Sequence, residues 1–245
     1  MSSSKFDSSA FSEFLASRRS TRDFLPTPIG DDVIEALLND GLTAPSWSNT
    51  RPFMVAVATG EVRERISREM QRRWWLLAAA RAKGLLGKVR LLAHLEAAPR
   101  SDYNMFKPYP KSLQPRSRRV GKELYAALGV ARGDRQARDE QWARNYEFFG
   151  APVELFIFIH KDLDVFAASD ASLFAQNLML SAHARGLGTC AQGAAGMWPS
   201  IVRKEFKVPT GYKLLYGIAV GHPSDHPVNK FGAHRIGAEE IRLYS

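Results

Sequence analysis

The 245-residue chain has one cysteine, Cys190, so it can close no intrachain disulfide and offers no thiolate cluster for zinc or an iron–sulfur centre. That usage suits a reducing cytoplasm, which is the expected compartment. Long apolar runs are also missing. The most apolar stretch, residues 74–80, sits between Arg73 and Arg81 and falls far short of the roughly 20 apolar residues that cross a bilayer. The first residues are polar and lack the apolar segment of a secretory signal. No Gly-x-Ser-x-Gly elbow and no helical His-Glu-x-x-His occur, which removes the commonest hydrolase signatures. Repeats and low-complexity linkers are absent, pointing to one domain over residues 1–245.

What is present is a chain able to fold, with 45% hydrophobic and 24% charged residues. Its net charge of +9 suits nucleic acid, an acidic membrane surface or small anionic ligands, and charge alone does not choose among them. The excess gathers where Arg100, Lys107, Lys111, Arg116, Arg118, Arg119 and Lys122 face one acid, Asp102. Most such runs are solvated faces.

Periodicity and punctuation predict helices over 9–18, from after Pro28 to about Gly41, over 61–83, 117–128, 134–149 and 170–185, and near 198–206. Asp32 and Glu35 stand at capping-box spacing in the second. Strands are predicted over 53–58, 153–160, 189–192 and 214–220, with 153–160 apolar enough to be central. Prolines at 99, 108, 110 and 115 predict an extended basic loop over about 99–119, carrying Tyr103, Phe106 and Tyr109, as a lid or a solvated insert. The order is that of an α+β sandwich rather than regular βαβ repetition.

Residues 186–191 match a dinucleotide fingerprint in letters, but they follow a helix and enter a strand, the reverse of what a pyrophosphate site needs. Gly186 is better explained as a helix C-cap. His222 and His226 stand four apart, yet Pro223 and Pro227 make the segment a turn, so no metal is expected there. Cys190 reads as a buried, inert thiol. Asn145 is more informative. With Trp142, Tyr146 and Phe149 at helical spacing, it places an amide on an apolar face, where backbone or water satisfies it or a ring ligand with donors and acceptors does. The segment Arg18-Arg19-Ser20-Thr21-Arg22 is equally two-sided, since basic residues complement a helix C-terminus without any ligand, or converge on a phosphate.

Taken together, Arg18 to Arg22, Ala44-Pro45-Ser46-Trp47-Ser48-Asn49-Thr50-Arg51-Pro52-Phe53, residues 186–193 and His234-Arg235 resemble the nitroreductase family of FMN-dependent oxidoreductases. The resemblance runs from about Phe11 to Leu243. It implies a three-layer α+β sandwich with a central mixed β-sheet flanked by helices. It further implies a homodimer with shared FMN sites, NAD(P)H as electron donor, and a nitroaromatic or quinone acceptor reduced by ping-pong exchange through flavin N5. By that resemblance Arg18, Ser20 and Arg235, with Arg19, contact the FMN phosphate and ribityl chain, and Arg22 faces the pyrimidine end of the ring. Pro45, Ser46, Ser48 and Asn49 match a loop that reaches the flavin from the partner subunit. Asn145 matches an asparagine near the ring, and Gln192 and Gly193 match the turn beside N5. No protein acid or base is assigned.

Three positions depart from the pattern: Arg51 stands where glutamine is usual, Phe53 where tryptophan is usual, and Gly232 where an additional arginine is common. Features in 121–129 and 145–152 look like the nitrobenzoate-reducing branch, which would give Arg116, Arg118 and Arg119 a substrate carboxylate to attract. The family also includes dehalogenating, azoline-oxidising and flavin-fragmenting members. A flavin- or nucleic-acid-binding module without turnover is the rival of another class, although no nucleic-acid motif accompanies the charge.

Overall fold

The computed structural model describes residues 7–84, 87, 89, 92–105 and 107–244. Residues 1–6 of the polar N-terminus and Phe106 lie outside them. Four strands form one sheet in the order β1-β2-β4-β3: β1 (Phe53–Ala58), β2 (Val153–His160), β3 (Gly188–Gln192) and β4 (Tyr212–Gly221). Every pairing between them is antiparallel. Among the described residues a parallel element enters only as an isolated bridge, Ser20 to Thr189, at the outer side of β3.

β2 is interior in the sheet, as its unbroken apolar sequence requires, because side chains of alternating residues then enter two different cores. Val153, Leu155, Ile157 and Ile159 face helices α2 (Asp31–Leu42) and α6 (Asp164–Ala184), meeting Ile34, Leu37, Phe174 and Leu178. Phe156 and Phe158 face the opposite layer, built from α3 (Gly60–Ala82), α7 (Pro199–Glu205) and the turn at Arg144–Gly150, meeting Ile66, Met70, Trp74, Tyr146, Ile201 and Val202. Helices therefore cover both faces of the sheet. Helices α1 (Ser8–Ser17), α4 (Gln114–Ala127) and α5 (Arg135–Ala143) are also present among the described residues. Among the described residues no helix is long and apolar enough to cross a membrane.

Some local expectations give way to packing. α2 is capped by Gly30 with no side-chain bond, so the capping box does not form, and it continues through Gly41 to Leu42. Gly41 is a contact rather than a stop: a Cβ there would lie 2.6 Å from Cε2 of Phe174 on α6, so the missing side chain lets the two helices touch. α6 begins at Asp164 rather than near Asp170. α5 ends at Ala143 instead of running to Phe149, for reasons that belong to the site.

Candidate functional site

The basic segment leaves its helix at once. α1 ends at Ser17 with no basic residue in its last turn, and Arg18 is already extended (φ −64°, ψ 131°), so the helix-dipole account of these arginines does not apply. The chain instead runs beside β3, with Ser20 bridging Thr189 and the Thr21 N–H donating to the Thr189 carbonyl at 2.9 Å. Gly188 permits this approach, because a Cβ there would strike the Thr21 side chain. On the other flank the Arg22 N–H donates to Asn229 Oδ1 at 2.8 Å, and Asn229 Nδ2 donates to the carbonyls of Asp23 (2.7 Å) and Ser224 (3.0 Å).

The product is a cleft of about 160 Å³ lined by Arg18, Arg19, Ser20, Arg22, Gly232 and Arg235, with no acid in its walls. Arg18 is half-buried there, and burial first, then the neighbouring Arg235, lower its pKa. Guanidiniums held together without a counter-charge make an anion site, with forked donors suited to a phosphate.

Arg22 also lines a second cavity, of about 600 Å³, together with Asn145, Gln192, Gly193, Tyr125 and Trp142. Asn145 reaches it from a 3-10 turn rather than from a helical face. Phe148 and Phe149 both take φ 54° and Gly150 takes φ 85°, which ends regular helix before it. Such left-handed non-glycine residues cost about 1–3 kcal/mol each. The turn sinks both phenylalanine rings into the core. Asn145 Nδ2 donates to the Trp142 carbonyl at 3.0 Å, and Gln192 Nε2 donates to the Asn145 carbonyl at 2.9 Å, so the two amides are fixed against one another on the cavity wall.

The loop carrying Pro45, Ser46, Ser48 and Asn49 lines neither cavity. It is nonetheless a preformed structure. Ser48, Asn49 and Arg51 take φ 49°, 57° and 45°, Ser46 Oγ accepts from the Arg51 N–H at 2.8 Å, and Asp170 accepts from the Trp47 N–H at 3.0 Å. Arg51 turns back to the loop, donating to the Leu42 carbonyl at 3.2 Å, and Phe53 packs on Phe174. At the tip Trp47 is 64% exposed.

Arg116, Arg118 and Arg119 are not in an extended loop. α4 begins at Gln114 with Pro115 in its first turn, where proline costs no hydrogen bond. Arg116 pairs with Glu240 at 2.9 Å, Arg118 donates to Gln114 Oε1 at 3.0 Å, and Arg119 pairs with Glu123 at 2.9 Å. None of the three lines the cavity. The face they occupy is a solvated one.

The same stretch contributes apolar side chains to the cavity instead: Met105, Tyr109, Leu124 and Tyr125. These were not singled out as site residues from sequence. The available signal was Gly121, Leu124, Tyr125 and Leu128 at i, i+3, i+4 and i+7, an apolar stripe on an otherwise charged helix. Cys190 lines the cavity too, 4% exposed, its thiol pushed up to about 11 by burial and therefore protonated at neutral pH. His226 serves its own turn, accepting from the Val228 N–H through Nδ1 at 3.1 Å.

Two abutting cavities joined at Arg22, one cationic and one walled by rings and amides, match an elongated ligand with an anionic tail and a flat head. The sequence profile of the nitroreductase family matches residues 15–222. The chain belongs to the nitroreductase family.

Among its relatives is the 4-nitrobenzoate reductase of Pseudomonas putida, 29% identical over 216 residues, covering 88% of this chain and 86% of that one. Nitroreductase NfnB of Mycolicibacterium smegmatis (strain ATCC 700084 / mc(2)155) is 29% identical over 242 residues, covering 96% and 93%. Of the solved structures, the FMN-dependent nitroreductase NfnB from Mycobacterium smegmatis in complex with NADPH superposes with TM-score 0.82 at 28% identity, covering 97% of this chain and 98% of that one. The FMN and NADPH-dependent nitroreductase NfnB from sphigopyxis sp. strain HMH gives 0.80 at 29% identity, covering 96% and 98%.

Proposed function

We propose that the chain is a single-domain, FMN-dependent oxidoreductase that uses NAD(P)H to reduce nitroaromatic compounds, and quinones by the same route. The observation that carries this is the pairing of Arg18 with Arg235 in an acid-free cleft that opens, through Arg22, onto the aromatic cavity. The residues fit FMN in their chemistry. Arg18, Arg19, Ser20 and Arg235 would hold the phosphate and ribityl end, with Gly232 leaving room beside Arg235. Arg22, Asn145, Gln192 and Gly193 would meet the ring. When bound, FMN supplies the hydride acceptance from NAD(P)H and its onward transfer.

The chain's own part is to bind, orient and exclude water. Arg22 places a cation where negative charge develops during reduction. Gln192 fixes the wall by donating its Nε2 hydrogen bond to the Asn145 backbone carbonyl. Met105, Leu124, Tyr125 and Trp142 offer apolar area for a second planar molecule. Reductant and acceptor occupy that space in turn, which is the ping-pong order. The loop 45–49, structured and exposed but lining neither of its own chain's two cavities, is suited to complete the cavity of a second subunit, so the active form is a homodimer.

Because Arg116, Arg118 and Arg119 do not line the cavity, they offer an acceptor's carboxylate no contact there. Nitrobenzene is expected to turn over at least as well as nitrobenzoate, with little response to salt; a strong, salt-sensitive preference for the carboxylate would restore the arginine trio to the site. The central experiment is simple. The purified protein should be yellow, release FMN on denaturation, and bleach with NAD(P)H without oxygen. A colourless protein that cannot be reconstituted would defeat the proposal.

A further inference from the structure

Strand β2 carries one residue that packing does not explain. Glu154 is wholly buried, and neither carboxyl oxygen has a hydrogen-bond partner among the described residues. A lone buried carboxylate is strongly disfavoured. The cation that bears on it is Arg63 of α3, whose guanidinium bonds to Glu64 and to the Glu147 carbonyl, keeps a buried Nε without a partner among the described residues, and forms no ion pair with Glu154. Burial therefore pushes the Glu154 carboxyl well above the usual carboxylate range, against the opposing pull of Arg63, and so favours its protonated form.

Its position is as telling as its burial. Glu154 is in register with Ala219, which is in register with Cys190, so all three share the sheet face that backs the aromatic cavity. Its carboxyl leans over Gly217, the partner of Gln192. A Cβ at Gly217 would fall on Glu154 Oε1 and lie 2.8 Å from Ala195 Cβ, so the glycine is what admits the acid behind the turn at Gly193–Met197. Gln192 and Cys190 line the cavity, and Glu154 does not. Gln192 Oε1 is itself buried without a partner among the described residues, an acceptor for a protonated carboxyl or for a water between them.

We propose that Glu154 is the proton store of the nitro-reducing site, acting through Gln192 and not by contact with the substrate. Its role rests on the nitro-reducing activity proposed above. Converting a nitro group to a nitroso group takes two electrons and two protons, breaks one N–O bond and releases that oxygen as water. The hydride of NAD(P)H brings both electrons and one proton and leaves NAD(P)⁺. The second proton comes from the Glu154 carboxyl, and the carboxylate, facing Arg63, is reprotonated from solvent before the next turnover.

The test compares FMN-loaded wild type, Glu154→Gln and Glu154→Asp with two acceptors, nitrobenzene and ferricyanide, since ferricyanide takes electrons only. Glu154→Gln is expected to slow nitrobenzene turnover roughly a hundredfold and to affect ferricyanide far less, with FMN content retained and Glu154→Asp recovering much of the loss. The infrared band of a protonated carboxyl in the wild type at neutral pH should vanish in Glu154→Gln. If that variant does not fold, Glu154→Asp decides: its solvent deuterium isotope effect on nitrobenzene is expected to exceed the wild type's, with none on ferricyanide. Equal losses on both acceptors, unchanged nitrobenzene turnover, no protonated band, or equal isotope effects would each overturn the assignment. Failure of the nitro-reducing activity itself would show separately, as a wild type inert to nitrobenzene whose carboxyl band is still read.

Discussion

The cationic cleft and the aromatic cavity share Arg22 but are made in different ways. The cleft is built from two short stretches, 18–22 and 232–235, whose arginines are visible as neighbours in the chain. The cavity is assembled from Met105, Tyr109, α4, α5, the 144–150 turn and β3, and its walls are mostly apolar residues with nothing unusual in their local sequence. The difference teaches that a charged end announces itself through residue type, whereas a ring-binding end is a property of shape. It also separates the expected effects of mutation: the cleft should govern retention of FMN, the cavity the choice of acceptor.

Removing both partners of the cleft is the strongest way to break this division. Arg18→Ala combined with Arg235→Ala forfeits two charge-assisted contacts at about 1.5–3 kcal/mol each, so FMN affinity by fluorescence titration should fall a hundredfold or more. Full retention of FMN would move the phosphate elsewhere. The single substitutions sharpen the gradient within the cleft: Arg235→Ala should release FMN about tenfold more readily than Arg22→Ala, because Arg22 divides its contacts between the two cavities. Equal retention by both purified variants would count against Arg235 as the main phosphate contact.

Tyr125→Ala addresses the other side. It should raise KM for a nitroarene several-fold, at most about tenfold, while leaving FMN content unchanged, because it removes an aromatic wall and no phosphate donor. Loss of FMN in that variant would erase the distinction between the regions. The smallest effect lies outside both. On α3, Glu69 is held down to about 2 by its hydrogen bond to Arg72 and then by Arg73, against an ordinary value of 4.5. A depressed acid stabilises the fold above its unfolded pKa, and that contribution is lost as pH falls from about 4.5 toward about 2. Thermal melts should show a slightly shallower acid decline in Glu69→Gln than in the wild type.

Much of the frame was readable before any coordinates. β1 and β2 begin and end where the apolar runs at 53–58 and 153–160 do, and Gly186 caps α6 with φ 73°. Asn145 reached the expected neighbourhood by an unexpected road. Its helix stops at Ala143 because Phe148 and Phe149 bury their rings by adopting a backbone that their own preferences oppose, and local pattern carries no sign of that exchange. Gly41 shows the same limit, since its letter suggests a helix end while its neighbour Phe174 makes it a helix contact.

Residue type and alternation by themselves determined the strands, most helices and the clustering of arginines at 18–22, because these follow from short-range sterics and formal charge. Tertiary structure alone decided that Arg18 meets Arg235, that Arg116, Arg118 and Arg119 turn to solvent while Leu124 and Tyr125 of the same helix line the cavity, and that Glu154 is buried over Gly217. Those outcomes depend on which distant segments exclude water from one another, and burial of that kind is a relation between residues rather than a property of any one of them.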